Sequence, residues 1–270
     1  MMIERTDDLG RTLRLDRPAQ RVVCLVPSIT ETLFSFGAGE RVAGITDYCV
    51  HPAASVAGKQ RVGGTKNVRV EEIIAIKPDL VIANAEENRR HHIEQLERAG
   101  IPVFVTFPRT VDGCLKMMRD VAILTGTEPA AEPIVASFQA ERFLVRSRPR
   151  ESVCRILCPI WKNPYMSINR DTFIDSIIRE AGGDNIFADR QERYPRFTLE
   201  EVARLRPDII ILPTEPYRFT VDDFRDFEQL GAEIPAVADR RIHIVEGELL
   251  SWYGPRVARA LHELSALFGF

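Results

Sequence analysis

The sequence lacks the features that would place it in a special class at once. Its five cysteines are odd in number and include no CxxC pair, which indicates small buried residues rather than a disulfide or thiol-ligand framework. No block of basic residues is present, and a net charge of −3 argues against nucleic-acid binding driven by electrostatics. No apolar run approaches the roughly 18 residues that a membrane-spanning helix needs. What remains is a 270-residue chain, 45% hydrophobic and 28% charged, which is typical of globular proteins with one large or two ordinary domains.

Signatures of common enzyme classes are absent as well. The sequence has no GxGxxG, no P-loop and no GxSxG, and the glycines of segment 37–39 end a predicted helix instead of opening one. Three of the five histidines stand alone. His91 and His92 are adjacent on a predicted helix and should point about 100° apart, which is unsuitable for a shared metal ion. The sequence therefore predicts no metal site, and its enzyme signatures are poor.

The most informative feature is an internal repeat. Segment 70–82, VEEIIAIKPDLVI, returns as segment 199–211, LEEVARLRPDIII, at an offset of 129 residues, and five of the thirteen aligned pairs are identical. Each copy predicts a short helix, a Pro-Asp break and then an apolar run rich in Ile and Val. Such a run is typical of a parallel strand that is buried on both faces. We therefore expect two related halves, each built of alternating strands and helices around a parallel sheet.

A second, weaker similarity between the two halves precedes each copy of the repeat. Residues 22–26 predict a strand that leads into a helix, in which Ser28 and Glu31 have the spacing of a capping box. Residues 153–157 predict a second strand, followed later by a helix that Thr172 caps. Both halves are thus expected to open with a strand and a capped helix.

The stretch between the two halves predicts two helices, of which the second is unusually long. The first runs from about residue 111 to residue 124, and the second starts after Thr127 and continues to about Ser147, roughly 20 residues or 30 Å. A single helix of that length is a stiff connection that permits only small rocking motions. The predicted domains are an N-terminal α/β lobe at 1–125, a backbone linker helix at 126–148 and a C-terminal α/β lobe at 149–270.

Aromatic residues concentrate in loops, mostly in those that follow predicted strands. Ligands of open parallel sheets bind outside the carboxyl ends of the strands, and aromatic rings there can stack on a flat or conjugated ligand. The alternative is that each ring anchors its own loop to the sheet. The set comprises both tryptophans and all five tyrosines of the chain: Tyr48, Trp161, Tyr165, Tyr194, Tyr217, Trp252 and Tyr253.

Charged residues in the same regions are further candidate ligand contacts. A guanidinium group can bind a ligand carboxylate or phosphate through two hydrogen bonds, although a surface salt bridge is the alternative for each arginine. This second set comprises Lys66, Glu87, Arg89, Arg109 and Arg170.

Glu71 and Glu200 occupy the same position of the repeat, in the first turn of equivalent helices. Acidic residues are common there because the helix dipole favours negative charge at the N-terminus. The alternative is a pseudo-symmetric pair of carboxylates, one in each lobe, that a partner with two-fold symmetry binds.

Several motifs together resemble the substrate-binding proteins of cobalamin and iron-siderophore ABC importers, also called helical-backbone metal receptors. The resemblance covers nearly the whole chain and includes the single long helix. It is carried by segments 21–31 (RVVCLVPSITE), 181–187 (AGGDNIF), 194–195 (YP) and 198–202 (TLEEV), of which the last three are similar to the cobalamin branch. The resemblance implies an α/β fold with two Rossmann-like lobes, each with a parallel sheet, joined by one long backbone helix.

The resemblance also implies a binding protein that is not an enzyme and has no intrinsic cofactor. A metal chelate, with a corrinoid as the first candidate, would lie in the cleft between the lobes and pass to an ABC permease. By position, Tyr48 and Tyr194 match cobalamin-contacting aromatic residues of the family, and residues 161–165 match its second-lobe ligand loop. Glu71 and Glu200 match the two acids that dock on arginines of the permease. A monomer is the expected state.

Two departures from the cobalamin pattern leave alternatives open. Segment 63–67 (GGTKN) has no tryptophan where the cobalamin receptor has one, which leaves room for a smaller or more anionic chelate, such as a siderophore or haem. Residues 1–8 do not resemble a secretion signal, so we expect a cytoplasmic protein, or a periplasmic or cell-surface one if a leader has been removed. A cytosolic cofactor-delivery protein of the same fold is a further alternative, as is an enzyme that acts on a tetrapyrrole or another metal chelate through Glu86, Glu87 or His51.

Overall fold

The computed structural model describes residues 2–149 and 153–270, which form two compact units. The first unit, here called the first lobe, comprises Met1–Pro108, Asp112–Ala136 and Tyr253–Pro255. The second lobe comprises Arg109–Val111, Ser137–Trp252 and Arg256–Phe270. Across the described ranges, no helix combines the length and the apolar composition of a membrane span.

The N-terminal part of the chain forms a hairpin and a five-stranded parallel sheet. The strands are β1 (Ile3–Thr6), β2 (Thr12–Leu15), β3 (Val22–Cys24), β4 (Val42–Ile45), β5 (Gln60–Arg61), β6 (Leu80–Asn84) and β7 (Val103–Thr106). The helices are α1 (Pro27–Ser35), α2 (Ala53–Val56), α3 (Val70–Ile76), α4 (Arg90–Arg98), α5 (Val111–Thr125) and α6 (Glu128–Arg146). Strands β1 and β2 pair antiparallel, and the sheet has the order β5-β4-β3-β6-β7 with all pairs parallel.

The central strands of this sheet are buried on both faces. All five residues of β6 are buried between β3 and β7, as the apolar run in the first copy of the repeat predicts. Helices α3 and α4 contribute side chains to the core that covers the sheet. Members of this core include Val23, Leu25, Ile73, Ile76, Val81, Ile93, Leu96 and Val103.

The second lobe repeats this arrangement with one strand fewer. Its strands are β8 (Cys154–Leu157), β9 (Gly183–Asn185), β10 (Ile209–Pro213) and β11 (Ile242–Val245). Its helices are α7 (Phe173–Glu180), α8 (Leu199–Leu205), α9 (Phe224–Glu228), α10 (Pro235–Ala238), α11 (Gly247–Ser251) and α12 (Arg256–Phe268). The sheet order β9-β8-β10-β11 matches β4-β3-β6-β7 of the first lobe, and every pair is parallel. The predicted fold class, two α/β lobes with parallel sheets, is confirmed.

The sequence repeat is also a repeat of local structure. Helices α3 and α8 both end at a residue in the left-handed conformation, and in neither case is that residue glycine. Lys77 ends α3 with φ of 52°, and Arg206 ends α8 with φ of 48°. A proline follows each of them, and it cannot continue the helix because it lacks an N–H group. Each helix therefore ends after two turns and the chain enters a buried strand, β6 or β10.

Two predictions about helix starts have different outcomes. Thr172 caps α7, because its hydroxyl oxygen accepts a hydrogen bond from the backbone N–H of Asp175 at 3.2 Å. The capping box predicted for Ser28 and Glu31 was wrong. Helix α1 begins at Pro27, and no side chain caps it. Proline at the first helical position has no N–H to satisfy and has the φ that a helix needs, so Ser28 lies buried within the first turn.

The long helix predicted near residues 126–148 is α6, Glu128–Arg146. Its residues up to Ala136 belong to the first lobe and those from Ser137 to the second. Within the second lobe, Arg142 and Arg146 both hydrogen-bond the carboxylate of Glu180 in α7, each at 2.6 Å. The Arg142 and Glu180 side chains are only 11% and 12% exposed, so this ion pair fixes the end of α6 to α7.

Candidate functional site

The loops that follow the parallel strands gather at one edge of each sheet. In the first lobe these are residues 46–52 after β4, 62–69 after β5 and 85–89 after β6, here called the first edge. In the second lobe they are residues 158–172 after β8, 186–198 after β9 and 214–220 after β10, here called the second edge. Ligands of open parallel sheets bind at such edges.

Asn88 ties three segments of the first edge together. Its side-chain oxygen accepts a hydrogen bond from the backbone N–H of Asn84 at 2.8 Å. Its amide nitrogen donates to the carbonyl of Leu25 at 3.2 Å and to that of Thr65 at 3.0 Å. The side chain is buried and makes hydrogen bonds through both polar atoms, as buried amides require. The ends of β3 and β6 and the turn after β5 are therefore held as one unit.

Tyr48 is displayed on this edge above a turn of glycines. Its side chain is 62% exposed, and its ring lies against Gly64, where an added Cβ atom would be 3.2 Å from the ring. Gly63 has φ of 94°, and a Cβ atom there would approach the carbonyl oxygen of Asn67 to 2.5 Å, so only glycine fits the turn. The Tyr48 ring is thus in contact with the turn and largely exposed to solvent.

The charged candidates of the first edge lie on neighbouring loops. The Lys66 ammonium donates a hydrogen bond to the backbone carbonyl of Glu86, which joins the turn after β5 to the loop after β6. Glu87 is half-buried, and its backbone N–H donates to the Asn84 side chain at 3.2 Å. Arg89 is exposed directly before α4. The structure thus places Lys66, Glu87 and Arg89 on adjoining parts of one edge.

Buried thiols lie beneath this edge. The thiol of Cys49 is 3.3 Å from the Thr30 hydroxyl and 3.2 Å from that of Thr46. Burial raises the pKa of Cys24 to about 12. All five cysteines are buried free thiols, as expected from their spacing in the sequence.

Trp161 is the exposed aromatic residue of the second edge. It starts a tight hairpin that its backbone closes by a bridge to Met166, and its side chain is 44% exposed. Its ring meets the half-buried Tyr217 ring edge-on, with centroids 5.9 Å apart. Tyr217 in turn packs against Phe219, at 4.7 Å between centroids. The Trp161 ring is therefore in contact with Tyr217 and still partly exposed to solvent.

Lys162 and Tyr165 anchor this hairpin to the lobe. The Lys162 ammonium lies 2.6 Å from carboxylate oxygens of both Asp223 and Asp226. The Tyr165 hydroxyl donates to Asp226 at 2.5 Å, and its ring stacks on Phe197 at 5.3 Å between centroids. The hydrogen bonds from Lys162 and Tyr165 lower the pKa of Asp226, so the carboxylate stays charged. Of the predicted ligand contacts, Tyr165 therefore has the loop-anchoring geometry.

A chain of polar contacts joins Tyr194 of the second edge to Arg109, which also belongs to the second lobe. Arg109 Nη1 lies 2.6 Å from one carboxylate oxygen of Asp171, and Arg193 Nη1 lies 3.0 Å from the other. The Arg193 guanidinium also lies 5.7 Å from the centroid of the half-buried Tyr194 ring. The structure thus connects the predicted residues Arg109 and Tyr194 through Asp171 and Arg193, which the sequence analysis did not single out. The position of Arg193 next to Tyr194 is the signal that would have identified it.

Backbone hydrogen bonds make the loops of the second edge rigid. The backbone N–H of Ser167 donates to the carbonyl of Pro195 at 2.9 Å. The backbone N–H of Asn169 donates to the carbonyl of Arg193 at 3.0 Å. The remaining candidate on these loops, Arg170, forms an exposed salt bridge of 2.7 Å with Asp189. The salt-bridge alternative therefore describes Arg170 in this structure.

Trp252 and Tyr253 offer little ring surface to a ligand. They are 9% and 4% exposed. Trp252 hydrogen-bonds the half-buried Glu215, and the Arg256 guanidinium lies 5.3 Å from the centroid of its ring. Burial raises the pKa of Glu215, and the hydrogen bonds from Ser251 and Trp252 oppose that rise. These contacts give Trp252 a structural role in the second lobe.

The described residues contain no group of three or more His, Cys, Asp or Glu side chains arranged to hold a metal ion. The expectation that the His91 and His92 rings point apart was wrong, because their centroids lie 4.0 Å from one another. Adjacent Cα–Cβ bonds diverge on a helix, but rotation about the side-chain torsions brings these two rings back together.

The sequence matches the family model described as periplasmic binding protein over residues 22–248. One curated relative is the vitamin B12-binding protein of Pectobacterium carotovorum subsp. carotovorum (strain PC1). It is 26% identical over 248 residues, which cover 91% of this chain and 87% of the relative.

Solved structures share the fold over almost the whole chain. The periplasmic heme-binding protein RhuT from Roseiflexus sp. RS-1 superposes with a TM-score of 0.80 at 25% identity, covering 93% of this chain and 98% of that one. The periplasmic vitamin B12 binding protein BtuF of Vibrio cholerae superposes with a TM-score of 0.78 at 21% identity, covering 93% and 97%. These matches extend over both lobes.

Proposed function

The chain belongs to the periplasmic binding protein family, and from this premise we propose that it is the substrate-binding protein of an ABC importer for a metal chelate. Proteins of this family bind solutes. We also propose that the chain binds its ligand without changing it chemically.

The observation that carries the proposal is the exposure of one large aromatic ring on each edge. Tyr48 on the first edge is 62% exposed and Trp161 on the second is 44% exposed. The Tyr48 ring lies against Gly64, and the Trp161 ring contacts the Tyr217 ring. Rings held in this way offer flat apolar area for stacking on a conjugated macrocycle.

The relatives support a macrocyclic chelate as the ligand class. The curated relative is named for binding vitamin B12, a corrinoid, and the structure at 25% identity is named for binding haem. A corrinoid is the first candidate, in agreement with the motifs shared with the cobalamin branch, and haem or a ferric siderophore is the alternative.

Titration of the purified chain tests this proposal. We expect quenching of tryptophan fluorescence by cyanocobalamin or haemin, with a Kd in the micromolar range or tighter, because Trp161 would contact the chelate. The ligand released by denaturation should be chemically unchanged, which addresses the alternative of an enzyme acting through Glu86, Glu87 or His51. If no chelate among corrinoids, haem and ferric siderophores binds, the proposed ligand class is wrong.

Glu71 and Glu200 are the proposed contacts to the permease. Both are exposed in the first turn of equivalent helices, α3 and α8, so each lobe presents one carboxylate. A hydrogen bond from Thr198 lowers the pKa of Glu200 and keeps it charged. Guanidinium groups on the permease would complement this pair of charges.

The proposed location is outside the cytoplasm. The solved relatives are described as periplasmic, which supports the export alternative and gives no support to a cytosolic delivery protein. A monomer is the proposed state, and light scattering of the purified chain would test it. Fractionation of the native host that found the protein with cytosolic markers would contradict the proposed location.

A further inference from the structure

We infer that the second lobe recognises an anionic group of the ligand, a carboxylate or a phosphate, through Arg109 and Arg193, which Asp171 holds side by side. This inference rests on the proposed function, because it assigns a chemical feature to the proposed ligand. It adds Arg193 as a specificity-determining residue and Asp171 as a positioning residue.

The geometry of the three side chains carries the inference. The two guanidinium groups bind different oxygens of one carboxylate, at 2.6 and 3.0 Å. One carboxylate therefore bridges the two guanidinium groups, and a carboxylate or phosphate of the ligand offers the same kind of paired oxygens. Arg109 is 52% exposed and Arg193 is 23% exposed, so an incoming anion can reach both from solvent.

The charge of the surrounding loops favours an anion. Segments 167–172 and 186–198 contain four arginines and three carboxylates, and Arg109 adds a fifth arginine. This positive excess contrasts with the net charge of −3 for the whole chain. A local excess of one sign on an otherwise acidic protein attracts ligands of the opposite sign.

The aromatic partner of Arg193 suggests how the anion is attached to the rest of the ligand. The Arg193 guanidinium lies over Tyr194, one of the predicted ligand contacts. A ligand that stacks on aromatic side chains and extends an acidic arm toward Arg193 would satisfy both groups. A flat chelate with carboxylate or phosphate substituents has this form.

The backbones of Arg193 and Asp171 are also held before the ligand arrives. The backbone N–H of Asn169 donates to the carbonyl of Arg193 at 3.0 Å, and the side-chain oxygen of Asn169 accepts from the N–H of Asp171 at 2.8 Å. Because both backbones are tied to Asn169, less loop freedom is lost on binding.

Pairs of ligands that differ in their anionic groups test the inference. Haemin, with two propionates, is compared with haemin dimethyl ester, in which both are neutral. Cyanocobalamin, with a phosphodiester, is compared with dicyanocobinamide, which lacks it. Fluorescence titrations at constant ionic strength give the affinity of each for the wild type and for R109Q, R193Q and D171N. Arg98→Gln is the control, because Arg98 is exposed at the last residue of α4, at the opposite end of that helix from the first-edge loop 85–89.

We expect R109Q and R193Q each to weaken binding of the anionic member of the recognised pair about tenfold and of its neutral partner less than twofold. D171N should also weaken binding of the anionic member and spare its neutral partner, because the two arginines lose the carboxylate that holds them side by side, and R98Q should change neither. The pair that shows the effect identifies the anion as carboxylate or phosphate.

The failures of the two proposals are distinguishable. If the wild type binds none of the four compounds, and no ferric siderophore either, the proposed function fails. If the wild type binds a chelate but R109Q and R193Q weaken both members of each pair equally, the inference is overturned. It is equally overturned if D171N weakens the anionic and neutral members alike, because the three side chains would then only maintain the loops.

Discussion

Asp79 and Asp208, which lie 129 residues apart, make the same hydrogen bonds in the two lobes. Asp79 accepts the backbone N–H of Arg21 at 2.8 Å and donates its own N–H to the Arg21 carbonyl at 3.0 Å. Asp208 does the same with Arg155, at 2.8 Å for both bonds. Each aspartate thus joins the start of a buried strand, β6 or β10, to the strand beside it, which explains why the Pro-Asp pair recurs.

We expect D79A and D208A to lower the free energy of unfolding by about 1 kcal/mol each, because each leaves the strand-opening N–H groups without their carboxylate acceptor. The Asn variants keep an acceptor oxygen and should lose less. Chemical denaturation monitored by circular dichroism measures both. A smaller loss in the Ala variants than in the Asn variants would contradict the assigned role of these carboxylates.

Removing an exposed ring should reduce ligand affinity without affecting stability. For Y48A and W161A we expect about tenfold weaker binding of the chelate, because each loses its stacking area, and an unchanged melting temperature. Calorimetric titration and thermal denaturation measure the two quantities. Phe143→Ala is the matched control, since Phe143 is 69% exposed on α6 and belongs to neither edge. Equal losses in the control would show that the effect is not specific to the edges.

Replacing Lys162 should loosen the Trp161 hairpin. We expect K162M to lower the free energy of unfolding by about 1–2 kcal/mol at neutral pH, because Asp223 and Asp226 lose their shared cation, and K162R to lower it less. The variant should also bind the chelate less tightly. Denaturation and ligand titration of the two variants side by side measure these effects.

The stability difference caused by K162M should depend on pH. Hydrogen bonds from Lys162 and Tyr165 lower the folded-state pKa of Asp226, so the stabilisation is fully present above the unfolded-state pKa of about 4. It is lost as the pH falls through the folded-state value. The difference between wild type and variant should therefore be constant from about pH 6 to 8 and shrink below about pH 4. A difference that grows on acidification would refute this linkage.

The docking prediction concerns Glu71 and Glu200. We expect the double variant E71A/E200A to bind its chelate with unchanged affinity but to support little uptake into cells that carry the native permease, because the paired charges for docking are lost. Glu132→Ala is the control, as Glu132 is an exposed acid on α6. Uptake of labelled ligand at the wild-type rate by the double variant would dismiss these two residues as permease contacts.

The cysteines should be unreactive in the folded chain. Burial raises the pKa of Cys24 and of Cys114 to about 12, so only about one thiol in ten thousand is ionised at about pH 8. An aromatic disulfide reagent should therefore label none of the five thiols within minutes, and all five after unfolding in guanidinium chloride. Rapid labelling of any thiol under native conditions would disagree with the burial described for all five.

The architecture was predictable because its signals are local and repeated. The buried runs that became β6 and β10, the Pro-Asp breaks before them and the cap at Thr172 all follow from short-range backbone chemistry. The start of α1 was missed because two valid signals competed, a Ser with capping spacing and a proline one residue earlier. The proline decided the helix start because it restricts its own backbone, whereas a serine can be accommodated inside a turn.

The side-chain arrangement of the edges was less predictable. Asp171 and Arg193 lie 22 residues apart in the chain, and Arg109 a further 62 residues from Asp171, so no sequence pattern joins them. Tyr165 and Trp161 are both large aromatic residues of the same loop. The hydroxyl of Tyr165 reaches Asp226, whereas Trp161 starts an exposed hairpin. Whether a loop ring anchors or is displayed depends on tertiary neighbours, which a single sequence does not reveal.

The amide of Asn88 has a consequence for how this protein acquires new preferences. Because one side chain secures three segments of the first edge, those segments cannot shift independently of each other. Tyr48 protrudes from that fixed base, and replacing it leaves the hydrogen bonds of Asn88 intact. Selection for a different ligand can therefore act by replacing exposed residues such as Tyr48, while the three segments held by Asn88 stay unchanged.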